Sequence, residues 1–534
     1  MHTLPFDHWQ MQAIADKTEI VSQGYILHGT PVFLQLPIHP RQYYCHGWQS
    51  WSLTTWLDPT RHLPAQKPAL LHPLQTDPLY ANHPAPNGSW LGAVELENDY
   101  ILLLGALGLE AHVALHDRQL HGWYETGSGA WFVACGPEKQ VFSAYAHHLQ
   151  SQFGAAARRP APRVWCSWYS LYTAIEESLL HRTFDALSDL PFDVLQVDDG
   201  WQTAIGDWTP NGKFPSGMEA LAAKIRASGR TPGLWLAPLV VLPSSALFRR
   251  HPDWLLRNPE GQPVSAGFNW GEPLYALDTT HPAVLNFLAN LMKQVRAWGY
   301  DYLKLDFLYA GALPGKRYQD MPRETALRHS LKMMREAMGS DAYFLACGAP
   351  ILPCLGLCDA LRIGPDVAGE WENPRDAILL YNPTIPAAKN ALRTALHRLW
   401  LAPLIATDPD VAYFCSAQNS LSPEQKQLLQ DLALICHFKA TSDLPQWLDA
   451  SERQALRTFL EARPAIHQTG RYTFQIGDRL VDFGPAISMP PPPHGLTALK
   501  STLLGWLANQ RWALKLFHHL NERELQKMIA GLQQ

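Results

Sequence analysis

The chain has 534 residues, 47% hydrophobic and 17% charged, which excludes intrinsic disorder and exceeds what one hydrophobic core supports, so two or three domains are expected. Its net charge of −5 excludes a general electrostatic grip on nucleic acid or on an anionic membrane, leaving a neutral partner as the expectation. The 20 tryptophans are the unusual count: many sit beside Gly, Ser, Asp or Asn, where an indole face can lie on the C–H patches of a sugar while short polar neighbours take its hydroxyls. A generous aromatic core explains the same count equally well.

The N-terminal segment, MHTLPFDHWQMQAIADK, has no basic stretch followed by an apolar core. The clearest apolar run, Tyr100 to Leu109, is half of the roughly 20 residues that a membrane span requires, so no membrane association is expected. The eight cysteines are scattered, which predicts reduced thiols in a cytoplasmic protein. Cys347, Cys354 and Cys358 come closest to a cluster, but they lack the Cys-x-x-Cys or tight His spacing of a zinc site and read as small buried hydrophobes.

Residues 1–153 break into short alternating runs, among them PVFLQLPI, WLGAVELENDYILLLG, LEAHVALHD and AWFVACG, separated by Gly, Pro, Asn and Asp. This texture predicts an N-terminal antiparallel β-sandwich, followed by a linking helix over 137–153 with Val141, Ala144, Tyr145, His148 and Leu149 on one face. GAAARRPAPR (154–163) reads as a linker. From about 160 to 449, brief apolar runs alternate with amphipathic stretches, at 164–168, 194–197, 231–237, 302–305, 343–346 and 360–363, then within 399–406 and within 432–438. Eight strands with intervening helices over this length predict a central (β/α)8 TIM barrel, and Thr173 with Glu176 has the spacing of a capping box for its first helix. Residues 450–534 predict a small C-terminal domain: a helix over 451–463, two strands about a turn in GRYTFQIGDRLVDFG, the run MPPPP, and a terminal helix within 496–532. That helix packs on its own barrel in the simpler reading and on a partner subunit, as a homo-oligomer, in the other.

In such a barrel the chemistry gathers where strands run out at their C-terminal ends. The residues there are Asp198 and Asp199, Trp235, Lys304 and Asp306, Cys347 and Gly348, Arg362 and Asp366, then Asp408 and Asp410. One such Asp alone is as easily a helix N-cap, but four strands ending in Asp form a ring of carboxylates. Asp198, Asp199, Asp306 and Asp366 are oxygen ligands for a divalent metal in one reading, against which Lys304 and Arg362 already balance their charge. The other reading is glycoside cleavage by two carboxylates, one attacking the anomeric carbon and one protonating the departing oxygen, ~5 to 5.5 Å apart in retaining enzymes. Lys304, two residues before Asp306 on the same strand face, supplies the counter-charge for a nucleophile there, and Asp366 suits the acid.

Taken in order, VDDGWQ, GDWTPNGKFPSGMEALAAKIRASGRTPGLWLAP, YLKLDFLYAGALPG, LACGAPILP and LRIGPDVAGEW resemble glycoside hydrolase family 36, the α-galactosidases of clan D, with weaker support from ATDPDV and GWQSWS. The resemblance implies a retaining exo-α-galactosidase, without cofactor or metal, that releases terminal α-linked galactose from melibiose- or raffinose-type oligosaccharides. Asp306 matches the nucleophile and Asp366 the acid/base. Asp198 and Asp199 match the pair holding the 4- and 6-hydroxyls, and Lys304 and Arg362 would reach hydroxyls beside the two catalytic groups. Trp235 matches an aromatic wall, Cys347 and Gly348 the loop after the fifth strand, and either Trp48 or Trp51 the tryptophan reaching over the barrel mouth. The chain departs from larger members in LDFLYAG, closer to compact bacterial enzymes, and in a tail after Pro490 without the expected strands. Relatives in the clan include α-N-acetylgalactosaminidases and raffinose or stachyose synthases, so another donor sugar or transfer to a sugar is the alternative, ahead of a metal-dependent barrel enzyme or a catalytically dead sugar-binding protein.

Overall fold

The computed structural model describes residues 1–60, 69–97, 99–154, 159–373, 382–489 and 493–533, so linker residues 155–158 and prolines 490–492 lie outside the described residues. Among the described residues of 2–137, thirteen strands build one antiparallel sheet of six strands and another of seven. The strand Tyr100–Ala106 is the hinge of their packing: it pairs with Leu91–Glu97 and Gly129–Pro137, and all but its first residue are buried. Such a run is buried on both faces because the helix Glu138–Phe153 covers the side away from the partner sheet. Gly105 permits that approach, since a Cβ there would meet the Tyr145 ring at 2.5 Å, and the Tyr145 hydroxyl donates to the Ala106 carbonyl at 2.8 Å.

Eight parallel strands follow, here named β1 (Arg163–Cys166), β2 (Val194–Val197), β3 (Thr231–Leu236), β4 (Tyr302–Leu305), β5 (Tyr343–Ala346), β6 (Ala360–Arg362), β7 (Ala406–Asp408) and β8 (Lys439–Thr441). They pair in the order β7-β6-β5-β4-β3-β2-β1-β8, the sequence of neighbours in a (β/α)8 barrel, with helices between successive strands. The curled sheet carries no ladder between β7 and β8, and there the Ala412 N–H donates to the Ala440 carbonyl at 2.9 Å instead. Strands β2, β4, β5 and β6 are buried at every position, as expected of strands covered on both faces. Register aligns Trp235 with Lys304 across β3 and β4, and Arg362 with Asp408 across β6 and β7. The polar ends therefore come level on one rim.

Three expectations need correction. The apolar run 432–438 is not a strand: it forms the end of the helix Pro423–Ile435, with Leu429, Leu432, Ala433 and Leu434 buried at helical spacing, and β8 begins after it. No capping box forms between Thr173 and Glu176. Thr173 lies in a 3-10 turn, its carbonyl accepts from Lys213 Nζ at 2.5 Å, and its hydroxyl faces Glu522 at 3.5 Å, so tertiary contacts displace the local motif. The tail is a pair of helices, Gly495–Ala508 and Arg511–Gln533, and a third strand, Ile466–Gln468, joins the two in the C-terminal sheet. No helix among the described residues is long and apolar enough to cross a membrane.

Candidate active site

Asp306 is the first residue beyond β4. Its N–H donates to the Leu236 carbonyl of β3 at 2.7 Å, which holds the backbone to the barrel one step past the strand. Phe307 then adopts a left-handed conformation, φ 54°, an outlier for a bulky side chain and the kind of strain that functional sites store. That turn points the Phe307 N–H back at Asp306 Oδ1 at 2.8 Å, while the Trp235 indole donates to Oδ2 at 3.0 Å. Lys304 Nζ stands 4.0 Å from the same oxygen and 3.0 Å from Asp198 Oδ2. Burial opposes the Lys304 charge, but Asp198, Cys347 and Asp306 outweigh it and hold the ammonium well above its ordinary range.

Asp198 also accepts from Gln196 Nε2 at 2.5 Å, and its N–H donates to Ser167 Oγ at 2.9 Å. Its neighbour Asp199 accepts from Gln202 Nε2 and from the Trp270 indole, each at 2.6 Å. Burial pushes Asp199 up to about 6 against those two donors. Trp270 was not anticipated from sequence. It sits at φ 51° in the turn of the hairpin Ser265–Asn269 and Glu272–Ala276, with its ring centroid 5.1 Å from Phe307 and 6.2 Å from Trp235. Its one sequence signal was a tryptophan between Asn269 and Gly271.

On the other side of the rim, Arg362 holds three carboxylates. Its Nε donates to Asp408 at 2.9 Å, and one terminal nitrogen lies 3.1 Å from Asp366 Oδ1 and 2.8 Å from Asp410 Oδ2. The Tyr169 hydroxyl and the Val367 N–H also donate to Asp410. Asp366 keeps 29% of its side-chain surface, against 8% or less for the other carboxylates of the ring that carry ion pairs. Burial of its carboxyl against the barrel rim, with the charge of Asp410 next, pushes it up to about 7. Asp306 and Asp366 are near enough for their charges to act on one another, and Cys347 feels both from a fully buried position at the end of β5.

The two candidate tryptophans of the N-terminal domain separate clearly. Trp48 points away from the rim: it is buried under Arg323, and its indole donates to Glu324 at 2.8 Å, beside the Trp90 indole at 2.9 Å. Trp51 packs edge-on against Phe307 at 5.2 Å and against Tyr309 at 6.1 Å. Gly348, at φ +50°, makes room for it, since a Cβ there would meet the Trp51 ring at 2.8 Å. Among the described residues the buried Trp51 indole N–H has no hydrogen-bond partner, which leaves a donor for a ligand or water.

The loop that carries Trp51 is clasped rather than draped. Ser50 exchanges two hydrogen bonds with Ala349, its N–H donating at 3.0 Å and its hydroxyl accepting at 3.1 Å. The Ile351 N–H donates to the Trp48 carbonyl at 3.1 Å. Arg398, fully buried, donates to the carbonyls of Gly47, Gln49, Ser50 and Ser52 and, at 3.1 Å, to that of Ile363 just past β6. Burial lowers it to about 9, the consequence of placing a guanidinium among neutral carbonyls. One side chain thus ties the Trp51 loop to the strand end that bears Arg362.

Comparison with known proteins finds similar enzymes. The melibiase family model matches residues 138–335. A solved structure of TtGalA, an α-galactosidase from Thermus thermophilus in complex with p-nitrophenyl α-D-galactopyranoside, is 45% identical, with a TM-score of 0.87 over 91% of this chain and 99% of that one. The curated α-galactosidase AgaA of Geobacillus stearothermophilus is 30% identical over 197 residues, 34% of this chain and 26% of AgaA, and this chain spans about a quarter of the length of the curated relatives it matches. The crystal structure of AgaA, at 15% identity and a TM-score of 0.56 over 82% of this chain and 65% of that one, shows a shared fold. Identity of 45% carried along nearly the whole of the Thermus enzyme decides the matter: the chain belongs to glycoside hydrolase family 36.

Proposed function

We propose that the protein is a retaining exo-α-galactosidase that hydrolyses terminal α-linked galactose from oligosaccharides. The observation that carries the mechanism is the divergence of two neighbouring carboxylates: Asp306, gripped by two N–H donors beside Lys304, and Asp366, partly open and pushed up to about 7. In the first step Asp306 attacks the anomeric carbon and forms a galactosyl ester, while Asp366 passes its proton to the departing glycosidic oxygen. In the second, water attacks the same carbon, Asp366 takes its proton, and Asp306 leaves as a carboxylate.

Asp198 and Asp199 hold the 4- and 6-hydroxyls in this reading, with Lys304 and Arg362 beside them and Trp235, Trp51, Cys347 and Gly348 shaping the subsite. The unpaired Trp51 donor and the acceptor oxygens of Asp199 suit sugar hydroxyls. Support for the substrate comes from the Thermus relative, whose structures hold p-nitrophenyl α-galactoside and stachyose. Each of Asp198, Asp306 and Asp366 already has a cation within 4.0 Å, which weighs against the metal reading. We further infer domains at 1–153, 160–449 and 450–534, and a cytoplasmic location in keeping with eight free cysteines. A panel of aryl α-glycosides of galactose, N-acetylgalactosamine, glucose and xylose, assayed with and without EDTA, tests the assignment. Turnover of the galactoside alone, indifferent to EDTA, is expected. Loss to EDTA with rescue by a divalent ion, preference for another sugar, or galactose binding without turnover would each replace it.

A further inference from the structure

The terminal helix pair turns its large apolar side chains outward. On Gly495–Ala508 these are Leu496, Leu499, Leu503 and Trp506, 62–77% exposed, while the buried positions are the small Ser501 and Gly505. This is the reverse of a surface helix, whose apolar stripe faces its own core. The spacing of three, four and three residues is that of an a/d seam, the pattern by which one helix packs on another. Trp512, Leu516 and Phe517 extend the patch on the second helix, each at least 50% exposed. Together with Leu520 these side chains leave roughly 1,000 Å² of apolar surface in water, more than the ~300 to 600 Å² patch of an ordinary monomer and above the ~800 Å² that each partner gives a standard interface.

The hairpin is seated on its own chain by polar contacts. The Asn509 side chain accepts from the Leu70 N–H at 3.0 Å, and His518 lies so close to Gly271 that a Cβ there would meet it at 2.7 Å. Its inner face is thus occupied and its outer face free for a second body. The first helix carries one basic residue, Lys500, and the second adds Arg511, Lys515 and Arg523, so charge does not set the occupant of the patch; the apolar area and the a/d spacing do. A helical seam of interface size, with the spacing by which one helix packs on another, suits an identical seam.

We propose that the protein is a homodimer in solution in which the outward seam of each terminal helix pair packs against that of a second copy about a two-fold axis. Such an isologous contact consumes the patch on both chains and closes at two copies. The contact beside Gly271 is made within the single chain and does not depend on the second copy.

The test is sedimentation equilibrium of the full chain through a dilution series, with the double variant Leu499→Glu, Leu503→Glu beside it. The wild-type chain is expected at twice 59.9 kDa and the variant at 59.9 kDa, with the variant's far-ultraviolet circular dichroism and galactoside turnover retained, because both side chains are exposed on the single chain. A wild-type mass other than two copies at every concentration overturns the proposal whatever the variant does. So does a folded double variant that stays dimeric, or a monomeric wild-type chain that sediments with phosphatidylglycerol vesicles.

Discussion

Replacing Asp410 by Asn should move the alkaline limit of activity. The carboxylates of Asp366 and Asp410 sit on the same Arg362 nitrogen, at 3.1 and 2.8 Å, so the two oxygens are at most about 6 Å apart. At an effective dielectric of about 20 to 40 that repulsion is worth roughly 1.5 to 3 kcal/mol, or about one to two units in the ionisation of Asp366. The sign follows directly. Removing the neighbouring negative charge, and freeing Arg362 for Asp366, stabilises the Asp366 carboxylate, so the general acid loses its proton at lower pH. The alkaline limb, expected near 7 in the wild-type enzyme and belonging to the interacting pair, should fall toward about 5 to 6. The assay is the pH dependence of kcat/KM on melibiose, whose poor leaving group needs the proton. A limb that stays in place, or moves upward, refutes the assignment of Asp366 as an acid raised by its neighbour.

Asp366→Ala should cost poor leaving groups far more than p-nitrophenol, read as the slope of log kcat/KM against leaving-group pKa, and equal losses across the series would contradict its role. Trp51→Phe removes one hydrogen bond to the sugar and should lower kcat/KM about 3- to 10-fold with the melting temperature little changed, whereas Trp48→Phe strips a donor from buried Glu324 and should lower stability by about 1 to 3 kcal/mol with KM unchanged. The reverse pattern would show that the wrong tryptophan has been placed at the sugar. Arg398→Met removes the guanidinium that five carbonyls share and should cost at least about 2 kcal/mol in denaturant unfolding while raising KM through the loosened Trp51 loop. Lys at this position should restore little, because an ammonium cannot span those acceptors, and an unchanged KM in the Met variant would separate Arg398 from the site.

What could be read in sequence were the features set by local pattern. Asp198 and Asp306 each follow a short apolar run directly and Asp366 stands four residues past the end of another, so a barrel prediction puts them on the rim without further information. Strand β8 escaped because its three residues are short and polar-ended, while the run before it is apolar on the buried face of a helix, and periodicity over so few residues does not separate the two. Trp270 and Arg398 escaped for a different reason. The first finds Asp199 71 residues away, and the second finds its loop about 350 residues away, in a helix-end context, HRLW, that reads like any surface turn. Trp48 and Trp51, three residues apart in GWQSWS, were indistinguishable until Glu324 and Phe307 supplied their separate partners.

The central claim is that Asp306 makes the covalent bond to the sugar, and the most direct measurement is azide rescue of Asp306→Ala on an aryl α-galactoside. Loss of the nucleophile should abolish turnover, and azide, small enough for the vacated space, should restore release of the phenol and yield β-galactosyl azide, identified by its anomeric coupling constant. Hydrolysis that survives intact in the variant, or a rescued product of α configuration, would contradict the account.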